Sequence, residues 1–154
     1  MIVRTAAFLF FLLIPLGCSI TSRAEEKPPE AKIEVQNKMY PTVLGSYCWS
    51  GKGTGKCVDT IGPVQMLAGK EAIKVKPNEV ITFIMNYKPK PNQFHVQSIN
   101  ANKETKIVKV KNNLFTAPKQ KGTYYYSFGV WWMDKKIANQ SRGSADYDFV
   151  LQVK

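Results

Sequence analysis

From Tyr147 to Val153 apolar side chains return at every second position. A period of two makes a β-strand the regular element that can bury them on one side. Ile33-Glu34-Val35 and Ile73-Lys74-Val75-Lys76 repeat the pattern. Val80-Ile81-Thr82-Phe83-Ile84-Met85 is apolar on both faces and is expected to be a central strand, whereas Phe94 to Ile99 and Lys106 to Lys111 read as half-exposed strands. Pro41, Gly62-Pro63, Pro77-Asn78, Pro89 to Asn92, Asn112-Asn113 and Pro118 to Gly122 mark turns between them. No stretch carries the 3.6-residue periodicity of an amphipathic helix.

About seven short strands at roughly 8 to 12 residue spacing predict an all-β chain, folded as an antiparallel two-sheet sandwich of immunoglobulin type. The closing segment sharpens this expectation. Ala117-Pro118, then Gly122-Thr123-Tyr124-Tyr125-Tyr126, a long loop over Met133 to Ser144 and a final alternating strand have the arrangement of the last hairpin of such domains. Tyr124 is then placed to form a tyrosine corner.

The N-terminus fixes the expected compartment. Arg4 precedes an apolar run from Ala6 to Leu16, too short to span a bilayer stably and proportioned as a secretory signal. Pro15-Leu16-Gly17-Cys18 resembles a lipobox, so Cys18 is the expected lipidation site at the end of a 1–18 leader; Ser22-Arg23-Ala24 offers an alternative cleavage after residue 24. Acyl chains on Cys18 would hold the protein to a membrane, each buried methylene contributing about 0.8 kcal/mol. Residues 19–31 are polar and Pro- and Glu-rich, as in a solvated tether, and 32–154 is long enough for one domain with a proper core.

With Cys18 removed or acylated, Cys48 and Cys57 remain as an even pair in an oxidising setting and predict one disulfide. Closing the eight-residue interval between them stabilises by about 2 to 3 kcal/mol in the chain-entropy view. The intervening Trp49 to Lys56 supplies the glycines of a hairpin tip. Its spacing misses that of a phosphate-binding P-loop, and no helix signal follows.

The run Tyr40-Pro41-Thr42-Val43-Leu44-Gly45-Ser46-Tyr47-Cys48-Trp49, followed by Cys57-Val58-Asp59, resembles a segment of small exported proteins and lipoproteins of Bacillus-type bacteria. Pro118, Gly122 to Tyr124 and Tyr147 to Phe149 are similar to the way those domains close. The resemblance covers about residues 40 to 154 and implies export, the sandwich fold and the disulfide; it implies no activity.

Few residues suit catalysis. His95 is the one histidine and sits on an alternating strand beside Gln97, as a structural imidazole would. Cys48 and Cys57 are committed to each other. Asp146 and Asp148 share a strand face, a spacing that could share a proton or hold Ca²⁺, but they are expected to be the solvated face of an edge strand. A zinc site lacks ligands, and no cofactor or metal is expected.

Charge points instead to binding. The chain carries a formal +11, and from Tyr40 onward 17 Lys and Arg oppose 7 Asp and Glu, so the excess belongs to the domain. Lys74 and Lys76 point from one expected strand, Lys109 and Lys111 from another, and Lys88, Lys90, Lys119, Lys121, Lys135 and Lys136 decorate turns. Such a surface attracts anionic wall polymers, lipid headgroups or acidic envelope proteins; nucleic acid is not expected outside the cell. Lysine's excess over arginine favours diffuse, salt-sensitive attraction.

Adjacent Trp131 and Trp132 face opposite sides of a strand, and an exposed one beside Lys135 and Lys136 would be a contact for a ligand. The alternatives are an accessory lipoprotein without a ligand and a protease inhibitor. Pro41-Thr42, Gly45, Tyr47 and Trp49 are similar to the Asn-Pro-Thr-Thr-Gly-Tyr loop of chagasin-type inhibitors, and Trp131-Trp132 to their Arg-Pro-Trp loop. Here Tyr40 replaces the Asn, the Pro before the late Trp is missing and a cysteine intrudes.

Overall fold

In the computed structural model, residues 27–50 and 55–154 are described. Among them the elements run β1 (Ala31–Val35), β2 (Lys38–Pro41), β3 (Val43–Ser50), β4 (Gly55–Val58), a helical turn α1 (Pro63–Met66), β5 (Ile73–Val75) and β6 (Val80–Met85). They continue as β7 (Gln93–Asn100), β8 (Thr105–Ile107), β9 (Leu114–Thr116), β10 (Gly122–Met133) and β11 (Ser141–Val153). One sheet has the order β2-β1-β6-β9 and the other β4-β3-β11-β10-β7-β8, with β5 pairing in parallel beside β11. The chain is thus an all-β sandwich. Among the described residues it crosses between sheets after β2, β5, β6, β8 and β9.

The spine is the β10–β11 hairpin, registered from Gly122↔Val153 to Met133↔Ser141. Even residues of β10 and odd residues of β11 face inward: Tyr126, Phe128, Val130 and Trp132 against Ala145, Tyr147, Phe149, Leu151 and Val153, all buried. From the facing sheet Ile33, Ile81, Phe83 and Phe115 complete the core. Phe83 stacks on Phe128 with centroids 4.0 Å apart and Tyr126 on Phe149 at 5.0 Å. Each such buried ring contributes about 1.5 to 3 kcal/mol. The tyrosine corner forms as expected, Tyr124 Oη donating to the Gln120 carbonyl at 2.9 Å. Cys48 and Cys57 face each other in register across β3 and β4 and are bonded.

Several expectations give way. The chain has eleven strands among the described residues rather than about seven, β2, β3, β4 and β9 being the additions; β1 with β2 and β3 with β4 form two hairpins. Gln36 and Asn37, both left-handed (φ 49° and 61°), make the two-residue turn of the first. Pro41 is the last residue of edge strand β2, where a missing N–H costs no ladder bond, and not a turn. β6 lies between β1 and β9 as a central strand should, yet it buries only Ile81, Phe83 and Met85; Val80 is exposed. The strand expected to Lys111 ends at Ile107, and the expected Met133–Ser144 loop shrinks to 134–140. Gly62-Pro63 opens α1, with Pro at its first turn.

The tether also ends sooner than residue 31. Pro28 and Ala31 are buried, and the buried Tyr147 donates its hydroxyl to the Pro29 carbonyl at 2.6 Å. The leader, Cys18 and the alternative cleavage after Ala24 lie outside the described residues, as does the hairpin tip 51–54. Replacing Tyr124 with Phe removes the corner hydrogen bond while keeping the ring. It is expected to lower unfolding free energy by about 1 kcal/mol in urea denaturation with an unchanged m-value.

Candidate functional site

β6 passes to β7 and β10 to β11 at the same end of the sandwich, so 86–92 and 134–140 lie side by side. Asn92 fastens them. Its backbone N–H donates to the Trp131 carbonyl at 3.0 Å; its side-chain amide donates to the Met133 carbonyl at 3.1 Å and accepts from the Met133 N–H at 2.8 Å. Asp134 shapes the second loop: Oδ1 accepts from the N–H groups of Lys136 at 2.7 Å and Ile137 at 3.3 Å, while Oδ2 takes Arg142 Nε at 2.8 Å and Nη2 at 2.7 Å. The Lys136 N–H first, and then Arg142, hold this carboxyl below the usual range.

Beneath the loops Trp49, Tyr87 and Trp132 meet edge to face, with centroids 4.8 to 6.0 Å apart. Trp132 is 5 % exposed and donates Nε1–H to the Pro89 carbonyl at 2.7 Å. Trp49 lies over Gly143, where an added Cβ would come within 2.6 Å of the ring. Trp132 also lines a cavity of about 470 Å³, together with Lys90, Lys135, Lys136, Arg142 and Asp134. Among the described residues Arg142–Asp134 is the one ion pair. Among the described residues the three lysines therefore face the cavity without a carboxylate partner.

The residues singled out from sequence divide accordingly. Lys135 and Lys136 stand at the cavity with Trp132, which is a buried wall and not an exposed contact. Trp131 is half-buried on the outer face, against Gly129 and in a separate shallow depression with His95 and Asn139. Lys109 and Lys111 are exposed on the segment between β8 and β9. Lys74 pairs with Gln152, ten residues along β11 from Arg142, on the order of 30 Å away at strand rise. It and Lys76 do not join the cavity. Lys90 and Asn92 are visible in sequence only as residues of a turn, and Arg142 carries no local signal. An aspartate directly after the strand, two residues before Lys136, was the available sign of an ordered loop.

Asp146 and Asp148 are not the solvated face of an edge strand. β11 is flanked by β10 on one side and by β3 and β5 on the other, and the connection through α1 and buried Leu67 packs over this outer face. Asp148 is 2 % exposed and its Oδ1 has no partner. The carboxylates sit where neighbours have no Cβ: one on Gly45 would lie 2.9 Å from Asp148 Oδ2, and one on Gly129 2.9 Å from Asp146 Oδ1. Burial above all pushes Asp148 up to about 7, with Asp146 adding repulsion and a Ser127 hydrogen bond opposing. Burial also raises Asp146, offset by His95.

His95 is exposed and its Nε2 pairs with Gln97 Nε2 at 2.8 Å. Among the described residues no three His, Cys, Asp or Glu side chains are grouped to hold a metal, and no helix is long and apolar enough to cross a membrane. In comparisons with known proteins the chain matches no family model, no curated protein and no solved structure.

The raised pKa of Asp148 has a defined sign. The native state keeps a proton that the unfolded chain, with an aspartate value of about 3.9, releases. Its stabilisation is full below about pH 4 and is lost as pH rises to about 7. The lowered Asp134 acts oppositely, below that window. Asp148→Asn is expected to flatten the decline between pH 4 and 8 and to exceed the parent in stability at pH 8, measured by urea denaturation across pH. Parallel pH profiles for the two proteins would contradict this origin.

Proposed function

We propose that this protein is a non-catalytic, extracytoplasmic binding module that captures an anionic component of the cell envelope at the loop end of its sandwich. It would be held to the membrane through a lipidated Cys18 or released by cleavage after Ala24. The observation that carries the reading is the convergence of Lys90, Lys135, Lys136 and Arg142 on one cavity whose single acid, Asp134, is already engaged by Arg142 and two backbone N–H groups. Excess cationic charge beside a buried tryptophan wall is what attracts and seats a negatively charged group. Phosphate-bearing wall polymers, lipid headgroups and acidic envelope proteins share that charge.

Support for the setting comes from the apolar leader, from the Cys48–Cys57 bond, which suits an oxidising compartment, and from the resemblance to exported proteins of Bacillus-type bacteria. The inhibitor alternative is less favoured. Pro41, Gly45, Tyr47 and Trp49, similar to an inhibitory loop in sequence, lie in β2 and β3, and Tyr47 is buried. An accessory lipoprotein without a ligand would show no retention on any envelope fraction.

Retention of the protein on isolated cell wall and on anionic vesicles, followed from about 50 to 500 mM salt, tests the reading. Binding is expected to fall steeply with salt and to be absent on uncharged vesicles. The exposed pair change Lys135→Gln/Lys136→Gln is expected to weaken it several-fold with unchanged stability. Salt-independent retention, or none at the lowest salt, would overturn it.

A further inference from the structure

A second cavity lies beside the basic one and shares a residue with it. It has a volume of about 300 Å³ and is lined by Phe83, Met85, Phe94 and Val110, with Lys90, Pro91, Asn112 and Asn113 at its mouth. The cavity is a gap between the two sheets. β8 ends at Ile107, and 108–113 crosses toward β9 without filling the space left beside β7. Phe94 alternates with Val96 and Ser98 on the inward side of β7 and packs edge-on against buried Phe128 at 6.0 Å, yet it is 36 % exposed. An inward core ring open to solvent is an apolar surface waiting for cover. The rim is held in place: Asn112 and Asn113, both left-handed (φ 52° and 63°), turn the chain between Lys111 and Leu114, and Asn113 accepts from the Phe83 N–H at 2.8 Å.

Lys90 lines both cavities, so the apolar wall of Phe83, Met85, Phe94 and Val110 and the cationic cavity meet at one side chain. We infer that the two form one site for an amphiphilic anion. A single alkyl or acyl chain lies between the sheets on Phe83, Met85 and Phe94, and a phosphate-type head is held at Lys90 and reaches Lys135, Lys136 and Arg142. The volume stands at the lower end of the range of about 300 to 1,000 Å³ that ligand pockets occupy, which suits one chain and not two. Charge complementarity selects the anion, and the buried methylenes supply affinity that a bare phosphate lacks. The inference rests on the basic-end reading above and narrows it from anions in general to lipid-like ones.

The test is calorimetric titration of the protein with decyl phosphate below its micelle concentration, with inorganic phosphate and with uncharged decyl glucoside. Decyl phosphate is expected to saturate one site, with a Kd at least tenfold below those of both comparators. Val110→Phe, which fills the gap, is expected to bring it to the level of phosphate; Lys90→Gln is expected to weaken it at least several-fold. Should Val110→Phe fold poorly, intermolecular NOEs from the decyl chain to Met85 and Phe94 in the parent protein give the same answer. Equal binding of phosphate and decyl phosphate, equal binding of the glucoside, NOEs elsewhere or no binding would each overturn the inference. Retention on anionic vesicles that persists beside such a result leaves the basic-end reading standing; its loss as well removes both.

Discussion

The rest of the structure hangs on the pairing of β10 with β11. Eleven registered pairs join these strands, and both are flanked on each side, by β7 on one edge and by β3 and β5 on the other. Because side chains alternate, a slip of one residue would exchange Tyr126, Phe128 and Val130 for Tyr125, Ser127 and Gly129, and would turn Asp148 into the core. The register is therefore enforced by both faces at once. At its far end the ladder shifts between Trp131 and Met133, setting Arg142 and Gly143 against Trp132. That bulge brings Arg142 to Asp134 and leaves room over Gly143 for Trp49.

The same hairpin explains why the two kinds of acid behave so differently. Asp134 lies past the end of the ladder, where free backbone N–H groups and an arginine can reach it, and it serves as the organiser of a short loop. Asp148 lies mid-strand, where every backbone donor is spent on the sheet. Its carboxyl occupies the space that Gly45 leaves by lacking a Cβ, and its Oδ1 is buried without a partner. One carboxylate is thus fixed in its charged form by hydrogen bonds, and the other is driven toward its neutral form by burial.

What the sequence made legible follows the same division. Strong period-two segments, the tyrosine corner and the cysteine pair are local signals, and the structure contains all three. Short edge strands were not legible: β2 and β9 are four and three residues long, too short to display a period, and the Gln36-Asn37 turn lacks the glycine that usually announces one. The role of Trp132 was hidden for another reason. Alternation separates it from Trp131 but does not say which face is covered, and only the meeting of Trp49, Tyr87 and Trp132 from three strands or their connections decides it. Lys90 and Arg142 join Lys135 and Lys136 through non-local packing at the loop end, whereas Lys74 and Lys76, equally prominent in sequence, sit at the opposite end of β11.

Backbone amide NMR tests, residue by residue, whether binding resides at the loop end built by 86–92, 134–140 and Arg142. On titration with a monomeric short-chain anionic phospholipid, the largest shifts are expected at Lys90 to Phe94, at Val110 to Asn113 and at Trp132 to Lys136, saturating together. Shifts centred on Lys74 and Lys76, spread evenly over all exposed lysines, or absent altogether would contradict it.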